Sequence, residues 1–151
     1  MRYFAPLFVL LLTTVSCDSE RKELVPPPLS QAEMWDCYQQ QEWDMQSLRE
    51  ELIGRWRWVY SVNYWAPDEG RNTESEELQV HFEDDSTLTV IRRGDVEQTT
   101  TWTVVVRDAS LFGIDTDKSV GNLRGRILLC DNLIEFNNSY IDGSDNYFVK
   151  E

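Results

Sequence analysis

The segment ELIGRWRWVYSVNYW, residues 51–65, decides the architecture. From Trp56 onward a large side chain falls at every second position: Trp58, Tyr60, Val62 and Tyr64 follow. A period of two belongs to a β-strand, whose successive side chains point to opposite faces. Residues 55–65 therefore read as one long strand with an aromatic face. Such a face needs something packed against it.

Downstream the same period recurs. LQVHFE (78–83) places Leu78, Val80 and Phe82 on one face and Gln79, His81 and Glu83 on the other. TLTVIR (87–92), EQTTTWTVVV (97–106), SLFGID (110–115), GRILLC (125–130), LIEFNNS (133–139) and NYFVK (146–150) complete the set. The polar stretches PDEGRNTESE, DDS, RGD, TDKSVGN, DN and DGSD separate them, rich in residues that favour turns. Eight consecutive strands without a helical crossover predict an all-β, antiparallel up-and-down meander, and eight strands close a small barrel. In that barrel Trp56, Trp58, Tyr60, Val62 and Tyr64 form one inner rib, as core at the Trp56 and Trp58 end and as core or cavity lining beyond.

Upstream, residues 30–53 predict one amphipathic helix packed on the domain or plugging one end of it. Ser30 and Glu33 form the S-x-x-E capping box, and Pro28 and Gly54 bracket the segment. Cys37 lies on this helix and Cys130 at the end of a strand. In an exported domain a Cys37–Cys130 disulfide would pin helix to sheet, and two buried thiols are the alternative.

The N-terminus points to export. Arg2 precedes a 12-residue apolar run at 4–15, too short to span a bilayer as a mature helix and suited to a signal-peptide core. It ends at TVSC, residues 14–17, which resembles the lipobox of bacterial lipoproteins, with Thr14 where Leu is usual. The resemblance implies a signal peptide at 1–16 and acylation of Cys17. A secretory peptide cut near Ser16 is the plainer alternative. Residues 17–29 read as a tether, charged and then stiffened by prolines at 26–28. Asp18 resembles the inner-membrane retention signal of enteric bacteria. Asp18 with Glu20 also resembles the surface-export signal of Bacteroidetes lipoproteins, which the rest of the chain favours. The expected location is a lipid anchor in the bacterial cell envelope, at the outer membrane.

Gly54-Arg55-Trp56, opening the first strand after a helical lead-in, resembles the lipocalin signature. Small lipocalin-like lipoproteins of Bacteroidetes are more similar still, with a lipobox, a short linker, G-[KR]-W, and a last strand ending like YFVK. The resemblance covers residues 48–151. It implies a lipocalin-like barrel over 54–151, with Gly54 and Trp56 at its closed end and a basic side chain packed over the indole, for which Lys150 of the last strand is the best placed candidate and Arg124 or Arg126 are competitors. The two later lipocalin motifs are not recognisable here. Trp58, Tyr60, Tyr64 and Trp102 are the candidate ligand contacts, for a small hydrophobic or glycan ligand in or at the barrel.

Charge narrows the partners. The chain carries 14 Lys and Arg against 27 Asp and Glu, and loses only Arg2 with residues 1–16. Such an acidic chain repels nucleic acid and anionic lipid. The sequence shows no nucleophile elbow, zinc-protease motif or phosphate loop, and a single histidine, His81. No catalytic residue, metal or cofactor is expected. Asp115-x-Asp117-x-Ser119 opens like a calcium loop, but Val120 stands where glycine is needed and Arg126 where the closing Glu belongs. Arg93-Gly94-Asp95 reads as a hairpin turn. Asp85-Ser86-Thr87 resembles the O-glycosylation motif of Bacteroidetes. The expected role is binding: of a small ligand, or of a protein partner at the outer surface and the loops 66–76 and 116–122.

Overall fold

Burial alternates along the third, fourth and fifth strands as the sequence predicts, whereas the last three strands are buried on both faces. The computed structural model describes residues 29–65, 71–73 and 77–151. The expected signal peptide, Cys17 and most of the tether lie outside these residues, as does most of the 66–76 loop. Among the described residues the strands are β1 (Gly54–Val62), β2 (Arg71–Thr73), β3 (Leu78–Phe82), β4 (Thr87–Arg92), β5 (Asp95–Asp108), β6 (Leu111–Thr116), β7 (Arg126–Cys130), β8 (Leu133–Asn137) and β9 (Asp145–Lys150). All pair antiparallel, in the order β6-β5-β4-β3-β1-β9-β8-β7, with β2 folded back on the end of β1. Eight strands thus form a nearly closed barrel, as their spacing predicts. Pairing of the first strand with the last joins the two halves of the meander. The seam lies instead between β6 and β7.

Those two edges still approach closely. A Cβ built on Gly113 of β6 would lie 2.6 Å from the carbonyl oxygen of Gly125, just before β7. Gly125 itself has φ +106°, and a Cβ there would lie 2.0 Å from the Asn137 carbonyl oxygen. Only glycine fits that corner.

The inside of the barrel is filled. Trp56, Trp58, Val80, Phe82, Leu88, Trp102, Ile127, Ile134, Phe136 and Phe148 belong to one buried cluster. A second cluster lies on the outer face of β1, β9, β8 and β7, where Tyr60, Val62, Leu128, Leu133 and Tyr147 meet Met34 and Tyr38.

The expected inner rib of β1 is broken in the middle. Trp58 pairs with Phe148, but Tyr60 pairs with Tyr147, so Val59 is one residue too many on its side of the ladder. This bulge reverses the alternation. Trp56 and Trp58 point into the barrel, whereas Tyr60 and Val62 belong to the outer cluster.

The single helix expected over 30–53 is two helices, α1 (Gln31–Gln39) and α2 (Met45–Leu52). Ser30 caps the first, its side chain accepting from the Glu33 backbone N–H. Asp44 starts the second by accepting from the N–H groups of Gln46 and Ser47, satisfying donors that a helix start leaves open. The break lets the two segments do separate jobs. α1 covers the outer cluster, tied to β7 by the Cys37–Cys130 disulfide. α2 closes one barrel end, inserting Leu48 and Leu52 into the inner cluster.

Candidate functional site

At the α2 end, Gly54 turns the chain at φ +128° from helix into strand. Two residues later the Trp56 indole N–H donates to the Leu52 carbonyl at 2.7 Å. Lys150 Nζ lies 5.3 Å from the Trp56 ring centroid and donates to the backbone and carboxylate oxygens of Glu51 at 2.6 and 2.7 Å. Gly54, Trp56 and Lys150 therefore meet at one closed end, with a cation over an aromatic face.

The four candidate ligand contacts do not converge. Trp58 is buried inside the barrel, its N–H donating to Asn146 Oδ1 at 3.2 Å. Trp102 is buried at the α2 end, edge-on to Phe82, beneath the Arg49 guanidinium, and its N–H donates to the Glu83 carbonyl. Tyr60 is on the outer face against Tyr147, because of the bulge. Tyr64 is exposed, beyond the end of β1. The inner indoles Trp56, Trp58 and Trp102 already spend their N–H groups on protein acceptors, and Trp56 and Trp102 lie beneath Lys150 and Arg49.

Two polar arrangements were not visible in the sequence. The first is buried on the outer face of β8 and β9. Asp145 accepts from the backbone N–H groups of Asn138 and Ser139 at 2.7 and 2.8 Å and from Ser139 Oγ at 2.9 Å. Asn137 Nδ2 donates to Asp145 Oδ2 at 3.2 Å and to Glu135 Oε1 at 3.0 Å. Glu135 Oε2 has no hydrogen-bond partner among the described residues. Burial pushes the Glu135 carboxyl up to about 7, with the nearby Asp145 charge adding to it and the Asn137 amide opposing. Tyr147 is likewise pushed upward, chiefly by burial and then by Glu135. In LIEFN the residues Glu135 and Asn137 read as solvent-facing positions of an alternating strand, so nothing local signals their burial.

The second arrangement is a surface groove of about 350 Å³ along the seam. β6 and the connection to β7 form one wall, and the turn after β8 forms the other. Ile114, Val120 and Leu123 supply apolar lining; Arg107, Asp115, Ser119, Arg124, Asn138 and Tyr140 supply polar groups. Arg107 is paired with Asp115, and Arg126 with Asp108. The Arg126 guanidinium also lies 3.8 Å from the Tyr140 ring centroid. Arg124 donates to Ser119 Oγ at 2.7 Å and has no carboxylate partner among the described residues. The signal, an arginine in the Asn122-Leu123-Arg124-Gly125 connection, has no pattern to distinguish it before the seam is known.

Other predicted positions are accounted for locally. His81 is half-buried on the outer side of β3, with Nδ1 3.8 Å from the Glu83 carboxylate. Asp115 is held by Arg107, so it faces an arginine. Arg93 and Gly94 make the β4–β5 turn, both with positive φ. Ser86 sits in the β3–β4 turn, within reach of Arg49.

No family model, curated protein or solved structure matches the chain.

Proposed function

We propose that this chain is a membrane-anchored, non-catalytic binding lipoprotein of lipocalin-like type, acylated at Cys17, whose ligand sits on the outside of the barrel at the seam. The observation that carries the reading is the filled interior. Trp58 and Trp102, the inner candidates for ligand contact, are spent on core packing, which argues against an apolar ligand held inside. The seam groove supplies what an interior cavity does not: an apolar floor with convergent polar groups, the usual composition of a small-ligand site. A glycan fits it better than a hydrocarbon, because hydroxyl, amide, guanidinium and tyrosine ring line it together.

Native mass spectrometry of the full mature chain, purified gently from its own host, tests the binding half. Extra mass lost on denaturation, and lost also in Tyr140→Ala, supports the seam. Extra mass retained in that variant places the ligand elsewhere. A bare chain mass favours a second reading, in which a protein partner docks on the exposed side chains beyond β1, where Trp65 is 70% and Tyr64 54% exposed.

A further inference from the structure

Within that outer-groove reading, on which this step rests, we infer that the seam groove selects a carboxylated sugar, with Arg124 as the carboxylate receptor and Tyr140 as the ring platform.

Charge is the first argument. The whole chain is strongly acidic, at −13. Yet the groove is lined by Arg107 and Arg124 against the one carboxylate of Asp115. Arg107 is neutralised by Asp115 through a direct ion pair. Among the described residues Arg124 is left with a hydroxyl, Ser119 Oγ. A guanidinium without a carboxylate partner among the described residues, in so acidic a molecule, is a place where an anion is drawn inward. Its planar fork suits a bidentate carboxylate better than any other common anion except phosphate.

Hydrogen-bonding capacity is the second. Asn138 lines the same groove. Its Oδ1 is closed off from solvent, so the amide nitrogen is the group it can offer a ligand. An amide N–H is met by a neutral hydroxyl oxygen as well as by an anion. With Arg124 taking the anion, the lining suits one anionic group and one neutral hydroxyl in the same ligand.

The third is the ring. Tyr140 keeps 41% of its surface exposed although the Arg126 guanidinium is stacked on it at 3.8 Å. The stacked cation fixes the ring, and its exposed part offers a flat apolar patch of the kind against which sugar C–H groups pack. Ser119 adds a further hydroxyl near the carboxylate end. Taken together these groups describe a uronic acid residue of a polysaccharide, with its carboxylate at Arg124 and a ring hydroxyl at Asn138.

Isothermal titration of the full mature chain in detergent tests this with a panel of uronic trisaccharides (galacturonate, glucuronate, mannuronate), their methyl esters, and a short polyglutamate. At least one acid should bind, with its ester about tenfold weaker or worse, since a hydrogen bond to a charged group is being lost. Arg124→Gln should weaken the acid to the level of the ester, Arg124→Lys should recover part of the difference, and Tyr140→Phe should bind as the unaltered chain does. Equal affinity for acid and ester, unaffected by Arg124→Gln but abolished by Tyr140→Ala, overturns the carboxylate selection and leaves the outer-groove reading standing. Failure of every sugar in the panel, or binding indifferent to Tyr140→Ala, overturns both. Polyglutamate bound more tightly than any sugar through Arg124 overturns the sugar and assigns the groove to an acidic peptide.

Discussion

Glu135 shows what a single buried carboxyl does to the stability of this barrel. Its neighbours across the outer face are Leu128 of β7 and Tyr147 of β9, its second oxygen has no hydrogen-bond partner among the described residues, and the closest charge is the like charge of Asp145. The folded carboxyl is thus raised from 4.5 to about 7, so between those values the native state binds more protons than the unfolded chain. By linkage this contribution is complete below about 4.5 and is lost as the pH rises through about 7. The full shift corresponds to about 3 kcal/mol. Glu135→Gln keeps the shape and removes the titration. It should match the unaltered protein at pH 4.5 and exceed it by roughly 2–3 kcal/mol at pH 8, read from urea unfolding at both pH values. A difference that stays constant with pH would show that Glu135 does not titrate in the fold. Lys150 carries a smaller contribution at the other face of the same sheet. Lys150→Met keeps the stem over Trp56 but loses the ammonium and its two bonds to Glu51, and should cost about 1 kcal/mol in the same assay. Lys150 is expected over Trp56 through the resemblance to lipocalins, with Arg124 and Arg126 as competitors. The burial of Glu135 is not legible, because an acidic residue between Ile134 and Phe136 satisfies alternation whether its face is wet or covered.

At the scale of the element, periodicity is read correctly until a ladder slips. Trp56 and Trp58 follow the period of two, and both sit inside. One extra residue, Val59, then turns Tyr60 and Val62 outward, and no feature of the segment announces a bulge because its side chain is as β-favouring as its neighbours. The helical lead-in fails for a related reason. Its apolar spacing runs on through Trp43, but Asp44 is a better cap than a helix interior residue. Asp44→Ala should destabilise the domain by about 1 kcal/mol, measured by thermal unfolding; no change would mean that α2 is held by Leu48 and Leu52 alone. The disulfide matters more. It joins residues 93 positions apart, and a loop of that size gives about 4–5 kcal/mol in the chain-entropy account. Cys37→Ser with Cys130→Ser should lose much of that and release α1 first, exposing the outer face of β7 to amide hydrogen exchange while β3 and β4 stay protected. Uniform loss of protection across the barrel would instead make α1 part of one cooperative unit with β3 and β4.

For the whole molecule, strand number and order in the chain are legible because polar turns punctuate each strand, but closure is not. Periodicity says which face a residue takes and nothing about which edges meet. Here β1 meets β9 and the gap falls between β6 and β7, so the groove that carries the functional proposal was invisible from Arg124 or Tyr140 alone. The membrane half of the proposal, by contrast, rests on residues 1–28, outside the described fold, and can be separated from it experimentally. Residues 17–151 carry 13 Lys and Arg against 27 Asp and Glu. A surface so acidic is pushed away from anionic bilayers, so in the proposed lipoprotein attachment would come from the acyl chains. More than one chain is needed for a stable anchor. Cys17→Ala should therefore move the protein completely from the detergent phase to the aqueous phase in a detergent-partition experiment and abolish its binding to anionic vesicles. Its unfolding midpoint should not change, since the one disulfide found among the described residues joins Cys37 to Cys130. Intact mass distinguishes the two readings of the N-terminus. A chain beginning at Cys17 with added acyl mass supports the lipoprotein. An unmodified chain cut near Ser16, already aqueous before any substitution, would make it a secreted barrel and leave the seam groove to be judged on its own binding data.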